Sequence, residues 1–315
     1  MDRQLFGIEQ LNKRAKAKFS QEPLTLELRK MTESKLHKKY VDTFFCGSVI
    51  QQKGEKMTSR YCRHRWCKVC NRIRTGKLIN GYADTLENLT DKQFVTLTIP
   101  NVNGDELKSA ILQMNKTIRK IQDNRRKQKK PLIKGIRKLE CTYNVQLNNF
   151  HPHYHFIIEN EKIADQLINE WLKYYPTANI KGQHKATATE CKELFKYFTK
   201  LTSNAGKVFV NGTRAKDEWH YPEAIDVIFT AIIKLRIIQP MGGLKMVSDE
   251  IEEIQSEIID GETLEIKASE LYLWNGENWF SPYTGELLSS FKPKIHLRRF
   301  REKIRYLHKD LQNEQ

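Results

Sequence analysis

The chain has 315 residues, of which 54 are Lys or Arg and 38 are Asp or Glu, so its formal net charge is +16. Hydrophobic residues make up 39% and charged residues 29%, which is too apolar for a wholly disordered chain and too charged for a membrane protein. Residues 1–20 are charged, and no run of about 18 apolar residues occurs, so we expect neither a secretory signal nor a membrane span. We therefore expect a cytoplasmic protein whose six cysteines are reduced metal ligands or core residues. The net charge indicates a polyanionic partner, of which nucleic acid is the commonest.

Charge is distributed unevenly along the chain. Basic residues are concentrated in Arg60–Lys77, Lys116–Lys138 and Lys292–Lys309, whereas Asp249–Glu270 is acidic. A single charge run can equally be a solvated helix face, and we interpret the acidic one as a solvated linker or the edge of a subdomain. Three basic runs in one chain favour contact with a nucleic-acid backbone.

Hydrophobic periodicity predicts the secondary structure in the middle of the chain. The β-branched and apolar run Phe94–Ile99, bounded by Pro100, predicts a strand. Apolar residues at helical spacing over Leu107–Ile121 predict an amphipathic helix. The strand-like runs Ile133–Val145 and His153–Ile158 are joined by a polar segment, and they predict a long antiparallel hairpin.

Further elements complete the predicted domain. We expect helices over Ile163–Leu172, Thr187–Leu201 and Glu223–Ile238, a strand over Asn179–Ala186, and a hairpin at Trp274-Asn275-Gly276. The order of these elements predicts an α+β fold in which helices flank an antiparallel sheet.

The first motif that suggests chemistry is His151-Pro152-His153-Tyr154-His155. Residues two apart on a strand face the same side, so His153 and His155 project together and can hold a divalent metal. The alternative is a histidine-rich edge strand without metal, but the apolar residues that follow favour a central strand. Glu140 would lie on the neighbouring strand of the hairpin, roughly opposite this pair, and is the candidate third ligand.

A second pair of residues lies on the predicted helix Thr187–Leu201. Glu193 and Tyr197 are four positions apart, which makes their side chains neighbours on one helix face. A tyrosine hydroxyl can act as a covalent nucleophile, and a neighbouring carboxylate can act as a general base. The ordinary alternative is a tyrosine that packs at the edge of the core.

Four cysteines are clustered in the N-terminal third of the chain, namely Cys46, Cys62, Cys67 and Cys70. A Cys-x2-Cys pair with further cysteines upstream is typical of a structural zinc site with four tetrahedral ligands. His64 is an alternative to Cys46 as the fourth ligand, and reduced free thiols are the alternative to zinc. Several arginines surround these cysteines, which suits contact with phosphate.

Together these segments resemble the initiator (Rep) proteins of rolling-circle plasmids, which belong to the HUH endonuclease superfamily. The motifs that carry the likeness occur in the family's order and are Cys62–Cys70, Phe94–Asn101, Leu139–Asn144, His151–Phe156 and Glu193–Lys200. The resemblance runs from about Cys46 to Gly243. One departure is Lys68, which stands where the family usually has proline.

The resemblance implies a reaction on single-stranded DNA. Mg²⁺ or Mn²⁺ held by His153, His155 and Glu140 would polarise the scissile phosphate. Tyr197 would attack phosphorus, forming a 5′-phosphotyrosyl link and freeing a 3′-OH that primes rolling-circle replication. Glu193 stands where two-tyrosine relatives carry a second tyrosine, so it would activate water and terminate the reaction by hydrolysis.

The resemblance also implies a domain organisation and partners. We expect a basic N-terminal segment at 1–40, a cysteine-rich, zinc-binding module at 41–85, an HUH catalytic domain with a ferredoxin-like core at 86–245, and an acidic linker, hairpin and basic C-terminal segment at 246–315. The partners would be plasmid origin DNA, both duplex and single-stranded, with a host superfamily-1 helicase and DNA polymerase. No membrane is implied.

Two other functional classes stay open. An HUH single-tyrosine transposase or relaxase uses the same chemistry, although relaxases usually carry the tyrosine near the N-terminus, whereas Tyr197 follows the histidines. A zinc-containing DNA-binding regulator without catalysis would also explain the cysteines and the basic runs.

Overall fold

The computed structural model describes residues 3–53, 56–189, 192–195, 209–210, 213–214, 221–251, 254–258 and 270–294. The α-helices in this part of the chain are α1 (Arg3–Leu28), α2 (His37–Phe44), α3 (Lys68–Glu87), α4 (Leu107–Lys127), α5 (Glu161–Tyr174), α6 (Lys192–Phe195) and α7 (Pro222–Ile232). The strands are β1 (Val49–Lys53), β2 (Lys56–Arg60), β3 (Lys92–Thr98), β4 (Gly135–Asn144), β5 (Asn149–Glu159), β6 (His184–Thr187), β7 (Phe209–Val210), β8 (Thr213–Arg214), β9 (Ile238–Met241), β10 (Ile254–Ile258), β11 (Glu270–Trp274) and β12 (Trp279–Phe280). Among the helices just named, none is long and apolar enough to cross a membrane.

The described residues fall into two compact units, each with its own antiparallel sheet. We call them the histidine unit, which lies within Thr75–Ser248, and the cysteine unit, which lies within Met1–Arg74 and Asp249–Arg305. The predicted α+β class is confirmed, because helices accompany an antiparallel sheet in both units.

The sheet of the histidine unit has the strand order β6-β3-β5-β4-β9. Its central strand, β5, pairs with β3 on one side and with β4 on the other, and every pairing is antiparallel. The predicted long hairpin is confirmed as β4–β5, in which Gly135 pairs with Ile158 and Glu140 pairs with His153. The histidine motif therefore lies on a central strand and not at an edge.

The two faces of this sheet are covered by different helices. On what we call the α4 face, Tyr154 of β5 donates a hydrogen bond to Asn115 of α4 and its ring packs against Trp171 of α5. On the opposite face, which we call the α6 face, Ile136 and Ile157 belong to one core cluster with apolar residues of α3 and α6. Alternation along a strand then places each residue of β4 and β5 on one face or the other.

The cysteine unit contains a second antiparallel sheet, with the strand order β10-β2-β1-β11-β12. Its core joins α1 to the sheet through Leu11, Ala15, Ile50, Met57, Tyr272, Trp279 and Leu288. The hairpin predicted at Trp274-Asn275-Gly276 is confirmed as β11–β12, and Gly276 has the positive φ of 99° that such a turn favours.

The prediction of one helix over Glu223–Ile238 is wrong after Ile232. Helix α7 ends at Ile232, Lys234 has a positive φ of 64°, and the chain then enters β9 beside β4. A short apolar run has the same appearance in a buried helix and in a buried strand, so periodicity could not separate them.

Two boundaries near β6 also differ from the prediction. The strand expected over Asn179–Ala186 begins only at His184, because the Asn179 side chain accepts a hydrogen bond from the N–H of Lys181 and opens a turn of 3-10 helix. Thr187 cannot begin the following helix, since it ends β6 opposite Gln93, and the described part of that helix begins at Lys192.

Candidate metal centres

The β4–β5 hairpin brings one glutamate and two histidines together on the α6 face. Glu140 pairs with His153 across the hairpin, and His155 follows two residues later on the same face. The Glu140 carboxylate lies 3.6 Å from Nε2 of His153 and 3.4 Å from Nε2 of His155. The three donor atoms all lie within 4.8 Å of one another. Two imidazoles and a carboxylate at this spacing suit a divalent cation.

Hydrogen bonds behind the rings orient both histidines toward Glu140. Nδ1 of His153 lies 3.0 Å from the backbone carbonyl oxygen of His151. Because a carbonyl only accepts hydrogen bonds, Nδ1 of His153 is the donor in this contact, and Nε2 is directed toward the carboxylate. Nδ1 of His155 lies 3.0 Å from the hydroxyl of Thr96 on β3. Such outer hydrogen bonds are the usual support of metal-binding histidines.

Lys138 also reaches this cluster, and the motif analysis did not select it. Its Nζ lies 2.5 Å from Oε1 of Glu140, and the lysine is only 3% exposed. Burial opposes the charge of Glu140, but hydrogen bonds from His153 and His155 and the cation of Lys138 hold the pKa of Glu140 well below its usual range. The carboxylate is therefore ionised at neutral pH. The signal in the sequence was Lys-x-Glu on a strand, a spacing that puts both side chains on one face.

His151 lies beside the cluster without joining it. Its ring centroid is 5.3 Å from that of His153, and its Nδ1 is 2.8 Å from Oδ1 of Asn101. Asn101 in turn donates a 2.7 Å hydrogen bond to Asn149 at the start of β5. Burial and the neighbouring His153 lower the pKa of His151 to about 4, so this ring is neutral at physiological pH.

In the cysteine unit the four predicted cysteines converge. Sγ of Cys70 lies 3.5 Å from Sγ of Cys46 and 3.7 Å from Sγ of Cys62, and all four sulfurs lie within 4.8 Å of one another. In a tetrahedral site with Zn–S bonds of about 2.3 Å, neighbouring sulfurs are about 3.8 Å apart. Backbone N–H groups of Cys62 and Cys70 donate to Sγ of Cys46 and Cys67, as outer hydrogen bonds do around metal ligands. The group therefore fits zinc.

The structure favours Cys46 over His64 as the fourth ligand. Cys46 belongs to the cluster of sulfurs, whereas His64 does not. The His64 ring stacks on Trp66 with centroids 5.0 Å apart, and its Nε2 lies 3.6 Å from a carboxylate oxygen of Asp42. His64 is thus oriented by its own neighbours.

The predicted nucleophile lies outside the described residues. Tyr197 is not among them, and Glu193 is described only as part of the backbone of α6. Leu194 of the same helix is buried in the core cluster that contains Ile136 and Ile157. Helix α6 therefore packs on the sheet face that carries the glutamate and the two histidines.

A sequence profile identifies the family of the chain. The profile of the Rep_1 family, described as "Replication protein", matches residues 54–283. The chain belongs to the Rep_1 family. The resemblance of its motifs to Rep proteins is thereby confirmed at the level of the family.

Curated relatives of this Rep_1 chain include bacterial proteins that are each named "Protein rep". The one from Staphylococcus aureus is 33% identical over 124 residues, which are 38% of this chain and 53% of that protein. Those from Streptococcus pneumoniae and a Bacillus species are 31% and 30% identical, over 31% and 33% of this chain and 32% and 35% of their own length. The chain thus spans about half the length of the first relative and about a third of the other two. No solved structure matches the chain.

Proposed function

We propose that this Rep_1 protein initiates plasmid replication by cutting one DNA strand at the plasmid origin. The observation that carries the proposal is the cluster of Glu140, His153 and His155 on two central strands, in a chain whose family consists of replication proteins. A plasmid replicates in the cytoplasm, which is where we place the protein.

The residues of the cluster meet the requirements of a catalytic cation site. Glu140, His153 and His155 would hold Mg²⁺ or Mn²⁺, and the bound ion would supply Lewis-acid polarisation of the scissile phosphate. The hydrogen bond behind His153 orients its Nε2 toward Glu140 and the place of the ion, and Lys138 helps to keep Glu140 ionised. Glu140 and His155 are partly exposed, so a phosphate group of single-stranded DNA can approach them.

Tyr197 is the residue that we assign as the nucleophile. Its hydroxyl oxygen forms a bond to phosphorus, the bond from phosphorus to the 3′ oxygen breaks, and the phenolic proton is lost while the 3′ oxygen gains one. The products are a 5′-phosphotyrosyl link and a 3′-OH. One phosphoester replaces another, so the step is reversible. The position of α6 on the α6 face supports this assignment, because Tyr197 follows the described end of that helix by two residues.

Glu193 is the residue that we assign to termination. It precedes Tyr197 by four positions, so on a continuing helix the two side chains would be neighbours. When the second cut is due, Tyr197 already carries DNA and cannot attack again. A carboxylate at this place can then take a proton from water, which attacks instead. Hydrolysis then ends the reaction without attaching protein to the new end.

Basic residues and the cysteine cluster account for the remaining partners. Arg126, Lys127, Lys129 and Lys130 are exposed at the end of α4 and would contact the phosphate backbone of origin DNA, duplex or single-stranded. Structural zinc on the four cysteines would stabilise the cysteine unit. A host helicase and DNA polymerase would then extend the 3′-OH.

The test is covalent capture of a single-stranded oligonucleotide that contains the origin sequence. In Mn²⁺, wild-type protein should form an adduct that survives denaturing electrophoresis, EDTA should abolish it, and added Mn²⁺ should restore it. Tyr197→Phe removes one oxygen and should form no adduct, whereas Tyr174→Phe, a matched change on α5, should behave as wild type. An adduct from Tyr197→Phe, or an adduct that survives EDTA, would contradict the mechanism. A non-catalytic regulator would bind the oligonucleotide without forming any adduct.

A further inference from the structure

A cavity of about 340 Å³ lies in the histidine unit between α4, β4, β9 and the turn that follows β9. Three arginines line it, namely Arg119, Arg126 and Arg137. Arg137 lies next to Lys138 on β4 and therefore belongs to the α4 face, opposite the face that carries Glu140. The cavity is thus separate from the candidate metal centre.

Arg137 is a buried cation whose described hydrogen-bond partners are all neutral. It is 4% exposed, and its Nη2 lies 2.8 Å from Oδ1 of Asn115 and 2.6 Å from Oε1 of Gln239. Its guanidinium carbon lies 4.8 Å from the ring centroid of Tyr154. Within the described part of the chain, Nη1 has no hydrogen-bond partner. A buried charge that is not paired with an opposite charge is costly.

Arg125 shows how the same unit can satisfy a buried arginine with groups of its own. It is 1% exposed, and its three nitrogen groups donate to Pro131 O at 2.7 Å, to the Glu170 carboxylate at 2.7 Å and to Gln166 Oε1 at 2.9 Å. Arg137 therefore differs from Arg125 in two respects, an unsatisfied nitrogen and neutral partners only. An anion in the cavity that Arg137 lines would supply the opposite charge that its present partners lack.

The rest of the cavity also favours an anion. Burial, together with the like charge of Arg119, lowers the pKa of Arg137, and an added negative charge would offset the repulsion between the two guanidinium groups. The carboxylate in the lining is Asp123, and it lies 2.7 Å from a guanidinium nitrogen of Arg126. The charges of Arg119 and Arg137 remain in excess.

Glycine keeps one side of this cavity open. Gly242, which follows β9, has a positive φ of 66°, and a Cβ there would lie 2.6 Å from the carbonyl oxygen of Ile133. Gly243 has a φ of 86° and open space around it. A larger residue is therefore strained at both positions, and no side chain from this turn fills the cavity.

We propose that this cavity binds a phosphate group, held by Arg137 from inside and Arg119 at the rim. The group can belong to the DNA backbone or to a small phosphorylated molecule, since arginine recognises both by the same geometry. The inference goes beyond the proposed nicking reaction and does not depend on it.

The first experiment measures binding of inorganic phosphate and pyrophosphate to the full chain by calorimetry and by thermal unfolding, in a buffer otherwise free of polyanions. Arg119→Ala changes an exposed residue and should weaken binding by at least about tenfold, the factor expected for one charge-assisted hydrogen bond. Lys108→Ala removes the same charge from the exposed start of α4, outside the cavity lining, and should bind as wild type does.

A second arm identifies the source of the phosphate. If the group belongs to DNA, Arg119→Ala should lower the slope of log affinity for an oligonucleotide against log salt by about 1, and Lys108→Ala should not. If it belongs to a small molecule, DNA affinity should be equal in the two variants and the difference should appear with phosphate or pyrophosphate. Either result supports a phosphate site. Equal behaviour of the two variants in both arms would overturn it.

Arg137→Met tests the buried charge itself. If Arg137 binds an anion, the variant should unfold in phosphate-free buffer at the same urea concentration as wild type, or at a higher one. Added phosphate should no longer stabilise the variant. Stabilisation by phosphate that persists in this variant would refute the role of Arg137. If the variant does not fold, the comparison of Arg119→Ala with Lys108→Ala decides alone.

Discussion

Glu140→Gln removes one negative charge from the candidate metal centre at nearly constant volume, and two kinds of neighbour should respond. The first are His153 and His155, whose Nε2 atoms lie 3.6 and 3.4 Å from the carboxylate. Removal of an outer-shell partner of a ligand already costs about 10–100-fold in metal affinity. We therefore expect loss of a direct ligand to lower Mn²⁺ affinity by at least that factor, and adduct formation with it.

The second neighbour is Lys138, whose Nζ lies 2.5 Å from Glu140 and which is 3% exposed. Breaking a buried ion pair by removing one partner costs about 3–5 kcal/mol. Glu140 is itself partly exposed, so we expect the lower end, a loss of about 3 kcal/mol in the free energy of unfolding. Adding Lys138→Met to Glu140→Gln removes the remaining charge and should restore most of that stability, but none of the Mn²⁺ affinity.

The assay is a cycle of four proteins, comprising wild type, the two single variants and the double variant. Urea unfolding in EDTA measures the contribution of the ion pair to the free energy of unfolding. Calorimetric titration with Mn²⁺ measures the affinity of the site for the metal. Wild-type Mn²⁺ affinity in Glu140→Gln would refute its assignment as a ligand. A double variant as unstable as Glu140→Gln would refute the account of the ion pair.

Two further predictions concern the cysteines and termination. Cys67→Ser should lose zinc, as measured by elemental analysis, and should lower the stability of the cysteine unit, because site formation and local folding are coupled. Cys141→Ser lies outside the cluster and should keep the metal. Wild-type protein that contains no zinc when purified without chelator would contradict this prediction. Glu193→Ala should still form the Tyr197 adduct, yet release multimeric single strands from a plasmid with two origins where wild type releases unit circles, and Glu193→Tyr should restore some termination. Normal termination by Glu193→Ala would show that this carboxylate has no such role.

The metal-ligand geometry was predictable because it depends on local rules. Alternation along a strand puts His153 and His155 on one face, and a hairpin with a short polar turn fixes which residues of β4 lie opposite them. These rules put Glu140 roughly opposite the two histidines, and the structure shows that its partner is His153. The order of the four cysteines similarly predicted a cluster, but only the fold could separate Cys46 from His64 as the fourth member.

Features that depend on distant segments were not predictable in the same way. Strand β9 exists because Ile238–Met241 pair with Gly135–Lys138, about a hundred residues earlier in the chain, and nothing in the local apolar pattern reports that partner. The interaction of Arg137 with Gln239 depends on the same pairing. The sequence motifs therefore identified Glu140, His153 and His155 on the α6 face, but they missed Lys138 on that face and Arg137 on the α4 face.

Arg137 and Lys138 are adjacent cations on one strand, both nearly inaccessible to water, and the sheet separates their environments. Lys138 lies against the carboxylate of Glu140, so its charge is balanced within the protein. The described contacts of Arg137 are amide oxygens and an aromatic ring, which leave a net positive charge in the cavity. A phosphate on the α4 face would therefore neither compete with a divalent cation on the α6 face nor need to displace a carboxylate. It follows that substitutions at Arg119 should alter phosphate binding while Mn²⁺ affinity stays constant. Glu140→Gln should lower Mn²⁺ affinity while phosphate binding stays constant.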